Sequence, residues 1–85
     1  MPAAPIFHQS VNGTVTFDQM PEGRRVLLQC DGDVVVSWWD DLADDYNTGE
    51  TISDPGSAMD CPAEKVRFVT SGATALRVIL YQENR

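Results

Sequence analysis

Histidine and cysteine are scarce in this chain: one His, His8, and two Cys, Cys30 and Cys61, in 85 residues. A disulfide-dense secreted scaffold would need more cysteine. A tetrahedral zinc site needs four ligands, usually in spaced pairs such as Cys-x-x-Cys, and no such pair occurs. Nucleophilic catalysis needs a Cys or Ser held beside a base. His8 lies in a Pro-rich segment, Cys30 falls at a turn and Cys61 precedes Pro62, with no activating basic neighbour in sequence. Gly-rich phosphate loops are also missing. The expectation is therefore a protein that is not an enzyme and uses no metal or cofactor. No apolar run approaches the roughly 20 residues of a membrane span. The opening Met-Pro-Ala-Ala-Pro-Ile-Phe-His has neither the basic nor the apolar region of a signal peptide. Synthesis in the cytoplasm, with reduced thiols and no membrane partner, is the corresponding expectation.

Positive charge is the second scarcity. Six Lys and Arg stand against 13 Asp and Glu, a net of -7. No Lys or Arg occurs between Arg25 and Lys65, whereas ten acids do. Such a surface repels phosphate backbones and anionic lipid, so direct nucleic-acid binding is not expected. Residues 40–55 read as an acidic loop with Asp40, Asp41, Asp44, Asp45, Asn47, Glu50 and Asp54. Calcium loops of the EF-hand type place their oxygens at alternate positions. Here the acids come as adjacent pairs, whose side chains diverge on an extended chain. A solvated loop is the better reading, with a weak divalent site and a contact for a basic partner as the alternatives. Its length favours contact or mobility over mere connection.

What is present in quantity is β pattern, and it occurs twice. Arg25-Val-Leu-Leu-Gln-Cys-Asp-Gly-Asp-Val-Val-Val-Ser-Trp-Trp39 aligns without a gap on Lys65-Val-Arg-Phe-Val-Thr-Ser-Gly-Ala-Thr-Ala-Leu-Arg-Val-Ile79, a shift of 40 positions. Each copy follows a shorter strand-like piece, Thr14–Phe17 or Gly56–Met59, and an X-Pro step. With three-residue loops ending in Gly32 and Gly72 as left-handed bulge residues, Val26 pairs with Val36, Leu28 with Val34, Val66 with Leu76 and Phe68 with Thr74. The inward set is then Val26, Leu28, Val34, Val36, Trp38, Val66, Phe68, Leu76, Val78 and Leu80, joined by Val15 and Phe17. Arg25, Gln29, Ser37, Lys65, Arg67 and Arg77 face outward. The competing arrangement is a β-arch, in which the two runs of each copy belong to different sheets. If both glycines are left-handed, Gly32→Val and Gly72→Val each cost more than about 1 kcal/mol.

The fold class read from this pattern is all-β. It is a small antiparallel β-sandwich or flattened barrel of about six to seven strands, built from two pseudo-repeats at about 13–39 and 56–81. Residues 1–85 form a single domain, with 1–12 an extended N-terminal arm in which Ile6 and Phe7 offer a seventh strand. A chain of this size buries only roughly 60 to 65% of its unfolded surface. Oligomerisation, or docking on a larger body, is the expected route to further stability.

Alternation sends Trp38 inward and Trp39 outward. Trp39 then shares an outer face with Leu27 and Val35, and Val69, Ile79 and Tyr81 form the second copy's outer apolar set. These six are the candidate partner-binding residues. The competing reading is intramolecular cover by the N-terminal arm or the acidic loop.

The pattern Pro21-Glu-Gly-Arg-Arg-Val-Leu-Leu-Gln-Cys-Asp-Gly-Asp-Val-Val-Val-Ser-Trp, echoed by Cys61-Pro-Ala-Glu-Lys-Val-Arg-Phe-Val-Thr-Ser-Gly-Ala-Thr-Ala-Leu-Arg-Val, resembles small all-β structural proteins of tailed-bacteriophage virions. The resemblance spans about residues 13–81 and carries no ligand or catalytic signature. It implies a capsid-decorating or cement role in the virion, with capsid protein as partner and a homo-oligomeric state. Two rivals come from other classes. An acidic inhibitor mimicking nucleic acid would spread its carboxylates along one face. A carbohydrate-binding module would set Trp39 and Tyr81 coplanar on one exposed face.

Overall fold

The computed structural model describes residues 5–81, and they form nine strands with no helix among them. In chain order these are β1 (Pro5–Val11), β2 (Thr14–Phe17), β3 (Arg25–Cys30), β4 (Val34–Asp40), β5 (Asp45–Tyr46), β6 (Glu50–Ile52), β7 (Gly56–Asp60), β8 (Val66–Val69) and β9 (Thr74–Leu80). They build two antiparallel sheets that pack as a small β-sandwich. One has four strands in the order β1-β9-β3-β7; the other has five, β2-β8-β4-β5, with β6 also on β4.

Alternation places one side of every central strand inside. Val26, Leu28, Val34, Val36, Trp38, Val66, Phe68, Leu76 and Val78 are all buried, as the sequence pattern requires, and Leu80, Val15 and Phe17 pack against them from the rim. Val11, Met20, Ile52, Cys30 and Cys61 complete the core. These five lie at strand ends or in connections, where no period marks them. Phe7 reaches in from β1, with ring centroids 5.3 Å from Phe17 and 5.4 Å from Phe68.

The hairpin pairing expected within each copy does not form. β3 lies between β9 and β7, with Val26 opposite Leu80 and Leu28 opposite Val78. β4 lies beside β8, with Val36 opposite Phe68 and Trp38 opposite Val66. Residues 31–33 and 70–73 therefore each carry the chain from one sheet to the other, as β-arches. The reason is geometric. In both copies the buried residues on either side of the connection keep one parity, Leu28 and Val34 in the first and Phe68 and Leu76 in the second, as they would in a hairpin with a three-residue loop. The face pattern is thus common to both arrangements, and only lateral pairing separates them. Consistent with an arch, neither Gly32 nor Gly72 has positive φ, so the expected bulge conformation is absent. The arches are held sideways: the Asp31 carboxylate accepts the Ala75 N–H at 2.8 Å, and the Thr70 hydroxyl donates to the Val11 carbonyl at 3.0 Å.

Two further segments differ from the sequence reading. The stretch expected as an arm enters the four-stranded sheet from Pro5 onward as β1, paired with β9; residues 1–4 lie outside the described residues. The stretch 40–55, expected as loop, turns at 41–44 and returns along β4 as β5 and β6. Between those short strands Asn47 bonds both ways to Trp38. Its N–H donates to the Trp38 carbonyl at 2.8 Å, and its side-chain oxygen accepts the Trp38 N–H at 2.9 Å.

Glycine is required at two places other than Gly32 and Gly72. Gly56 opens β7 at φ +132°, and a Cβ there would fall on the Leu28 carbonyl oxygen and 2.8 Å from Gln29 Cα. Gly49 crosses β4 so closely that a Cβ would stand 2.5 Å from Ser37 Oγ and 2.6 Å from Val35 Cγ1. Gly72 has open space at its Cβ position and ordinary backbone. Gly56→Ala is expected to cost about 3 kcal/mol or more, because backbone strain and a main-chain clash add. Gly72→Ala should change stability by less than about 1 kcal/mol. Urea unfolding of the two variants beside the parent checks this; equal midpoints for both would contradict the described β3–β7 approach.

Candidate interaction surfaces

The six candidate residues do not share one surface. The topology divides them between the two opposite outer faces of the sandwich. Leu27, Ile79 and Tyr81 belong to the four-stranded sheet; Val35, Val69 and Trp39 belong to the five-stranded sheet. The grouping of Leu27 with Val35 and Trp39 is thereby corrected. Those residues stand on consecutive strands of one arch, and the arch sends its two strands to different layers.

On the four-stranded sheet the outward residues fall into rows across the strands. Ala58 of β7, Leu27 of β3, Ile79 of β9 and Pro5 of β1 are successive cross-strand neighbours, an apolar row across all four strands. Ile6 at the bulge beside Pro5 and Tyr81 at the end of β9 are 37% and 45% exposed. Polar rows flank it. On one side Arg25 pairs with Asp60 at 3.1 Å. On the other, Arg77 Nε donates to Gln29 Oε1 at 2.8 Å, with His8 opposite Arg77 on β1.

The five-stranded sheet presents a different surface. Val35 and Val69 are direct cross-strand neighbours, yet Gly49 lies over Val35 and over Ser37, which is only 2% exposed. Ser37 does face outward as alternation requires; it is buried because the segment joining β5 to β6 covers it. The acidic segment thus supplies part of the intramolecular cover. Trp39 is braced on several sides. Its indole N–H donates to Asp41 Oδ1 at 2.9 Å, Tyr46 meets it edge-on at 5.3 Å, and Lys65 Nζ stands 4.8 Å from its ring centroid. Arg67 in turn lies over the Tyr46 ring at 4.7 Å. Cation–π contacts contribute about 0.5 to 1 kcal/mol at exposed groups such as Lys65 and up to about 2 kcal/mol where the cation is desolvated. Arg67 Nε is buried and has no hydrogen-bond partner among the described residues.

The hairpin between β4 and β5 is ordered by its own acids. The Asp40 carboxylate accepts the N–H of Leu42 at 3.0 Å and of Ala43 at 3.4 Å, and Asp44 takes positive φ to close the turn. That geometry leaves Leu42 at the tip 100% exposed. No sequence period marks Leu42, which lies in a polar run; its exposure follows only from the turn. At the hairpin base a cleft of about 310 Å³ opens between Trp38, Trp39, Asp40, Asp41 and Asn47 on one wall and Glu22, Pro62 and Ala63 on the other.

The thiols are buried and free. Burial raises the Cys30 pKa, with Asp54, Asp31 and Asp33 adding to the rise against a backbone hydrogen bond at Gly32 that lowers it. Burial, followed by the Asp60 charge, pushes Cys61 up to about 11. A second hollow of about 310 Å³ is lined by both His8 and Cys30, but no hydrogen bond joins the two. Among the described residues, no three His, Cys, Asp or Glu side chains gather as metal ligands would. Trp39 and Tyr81 stand on opposite faces, so they form no coplanar pair. No family model matches this chain, and no curated protein or solved structure matches it.

The Cys61 thiol gives a pH expectation. Its folded pKa lies above the ordinary value of 9.0, so the neutral thiol favours the folded state and that contribution is intact below pH 9. Stability should fall as pH rises from about 9 to about 11. The slope is at most one proton's worth, about 1.4 kcal/mol per pH unit. Urea midpoints measured across this range for the parent and Cys61→Ala check it: the variant should lose that part of the slope, and parallel curves would contradict it.

Proposed function

We propose that this chain is a non-enzymatic structural protein that docks on a larger assembly, as a capsid-decorating or cement component of a tailed-bacteriophage virion. The observation that carries the docking reading is the row Ala58–Leu27–Ile79–Pro5, with Ile6 and Tyr81 beside it. It is a strand-built surface with an apolar centre and polar rim, the composition that recurs in protein contacts. The virion setting is supported by the sequence resemblance over residues 13–81. Charge fits the same picture, since Asp31, Asp33 and Asp54 gather near one end of the strands and the β4–β5 hairpin carries four acids at the other. The row itself contains no carboxylate.

We also read the domain as two interleaved copies of one unit. The triads β9-β3-β7 and β4-β8-β2 exchange when the first copy's strands are replaced by the second's. Each copy then places one strand of its arch in each sheet. The exchange is offset by two residues: the 40-position shift would set Val66 opposite Asp40, and it stands opposite Trp38.

The test is quantitative mass spectrometry of virions purified from an infected culture. The chain should be found at a fixed ratio to capsid protein. Leu27→Asp combined with Ile79→Asp should remove it from the virions, and the milder pair Leu27→Thr and Ile79→Thr, which keeps strand propensity, should reduce its occupancy. Recovery of the parent chain only in the soluble lysate would overturn the proposal.

A further inference from the structure

We infer that the chain self-associates through the outer face of its five-stranded sheet, the acidic β4–β5 hairpin tip of one copy docking on the Lys65–Arg67 surface of a second. This rests on the docking reading only in treating the chain as an assembly component; it uses a different face and needs no capsid. Three observations carry it. First, Arg25–Asp60 is the one ion pair among the described residues, so neither Lys65 nor Arg67 has a described carboxylate within 4.0 Å. In a chain with 13 acids and six cations, these are two neighbouring outward cations with no ion-pair partner among the described residues. Second, that surface is pre-ordered. Trp39 and Tyr46 hold the two cationic heads, so docking a carboxylate there costs little side-chain entropy. Third, the tip offers the complement. Leu42 is wholly exposed, while Asp40 is spent on the turn and Asp41 on the Trp39 indole. Asp44 flanks it further along the turn, followed by Asp45, one oxygen of which accepts the Tyr46 N–H at 2.8 Å and the other of which is left for a partner.

The tip and the cationic surface adjoin on the same edge of the sandwich, since Trp39 contacts both Asp41 and Lys65. A two-fold relation between copies therefore lets each supply its tip to the other, satisfying both contacts at once, as an isologous dimer requires. The net charge of -7 opposes association at long range. At physiological salt the Debye length is about 8 Å, so contact pairs outweigh that distant repulsion. Leu42 adds apolar burial against the partner's Tyr46, which lies beside the stacked Arg67.

The test is a charge exchange between two variants of the full chain, followed by sedimentation equilibrium with circular dichroism as the check on folding. The parent should show a concentration-dependent dimer that weakens at least tenfold between 0.05 and about 0.5 M NaCl. Lys65→Glu with Arg67→Glu, and separately Asp44→Lys with Asp45→Lys, should each be monomeric, and Leu42→Ser should weaken the dimer. An equimolar mixture of the two charge-reversed variants should regain association, because reversed tip meets reversed surface. A parent that stays monomeric to millimolar concentration overturns the inference. So does a dimer indifferent to salt and to both reversals, or a mixture that stays monomeric while both variants remain folded. The Leu27 and Ile79 variants should leave this dimer intact, which separates its failure from failure of virion docking.

Discussion

Everything in this molecule depends on the burial of one parity of side chains between two sheets. Val26, Leu28, Val34, Val36, Val66, Phe68, Leu76 and Val78 are each at most 1% exposed, and they come in equal numbers from the two layers. Removing a layer would expose the inner face of the other. Burial on this scale, at about 25 cal/mol per Å² of apolar surface, is the one term large enough to offset the ordering of a short chain. The arches at 31–33 and 70–73 enforce it by moving each chain run directly from one layer to the facing one.

The same constraint explains the remaining irregularities. Because β4 sits in the middle of its sheet, its free side needs a partner. The chain after Asp40 returns to provide β5 and β6, with the Asn47 contacts bridging the gap between them. That return draws Gly49 across Ser37 and Val35, burying a serine on an outer face. Gly56 likewise starts β7 with no room for a side chain, since β3 lies directly against it. Cys61 and Met20 plug the end of the core where residues 18–24 and 61–64 cross, tied by Met20 N–H to Glu64, Gly23 N–H to Cys61 and Cys61 N–H to Arg24.

With the apolar parity spent inside, the outer faces carry whatever chemistry the chain offers. The two faces differ. One keeps a partly exposed apolar row with paired polar neighbours. The other stacks cations on aromatics beside a stiff acidic turn, suited to a contact selected by charge. The one described ion pair, Arg25–Asp60, is exposed and contributes little to folding.

The sequence by itself determined the inward set, the all-β class and the outward placement of Trp39, because the two-residue period of a strand is written in adjacent side chains. It also shows one histidine and two cysteines, and only the fold buries both thiols. Lateral pairing was decided only in three dimensions. Parity is the same in a hairpin and in an arch, so Val26 opposite Val36 and Val26 opposite Leu80 bury the same side chain. From that single ambiguity came the division of the six candidate residues between two faces. The cover over Val35 and the exposed Leu42 likewise depend on contacts between residues whose sequence neighbours carry no trace of them.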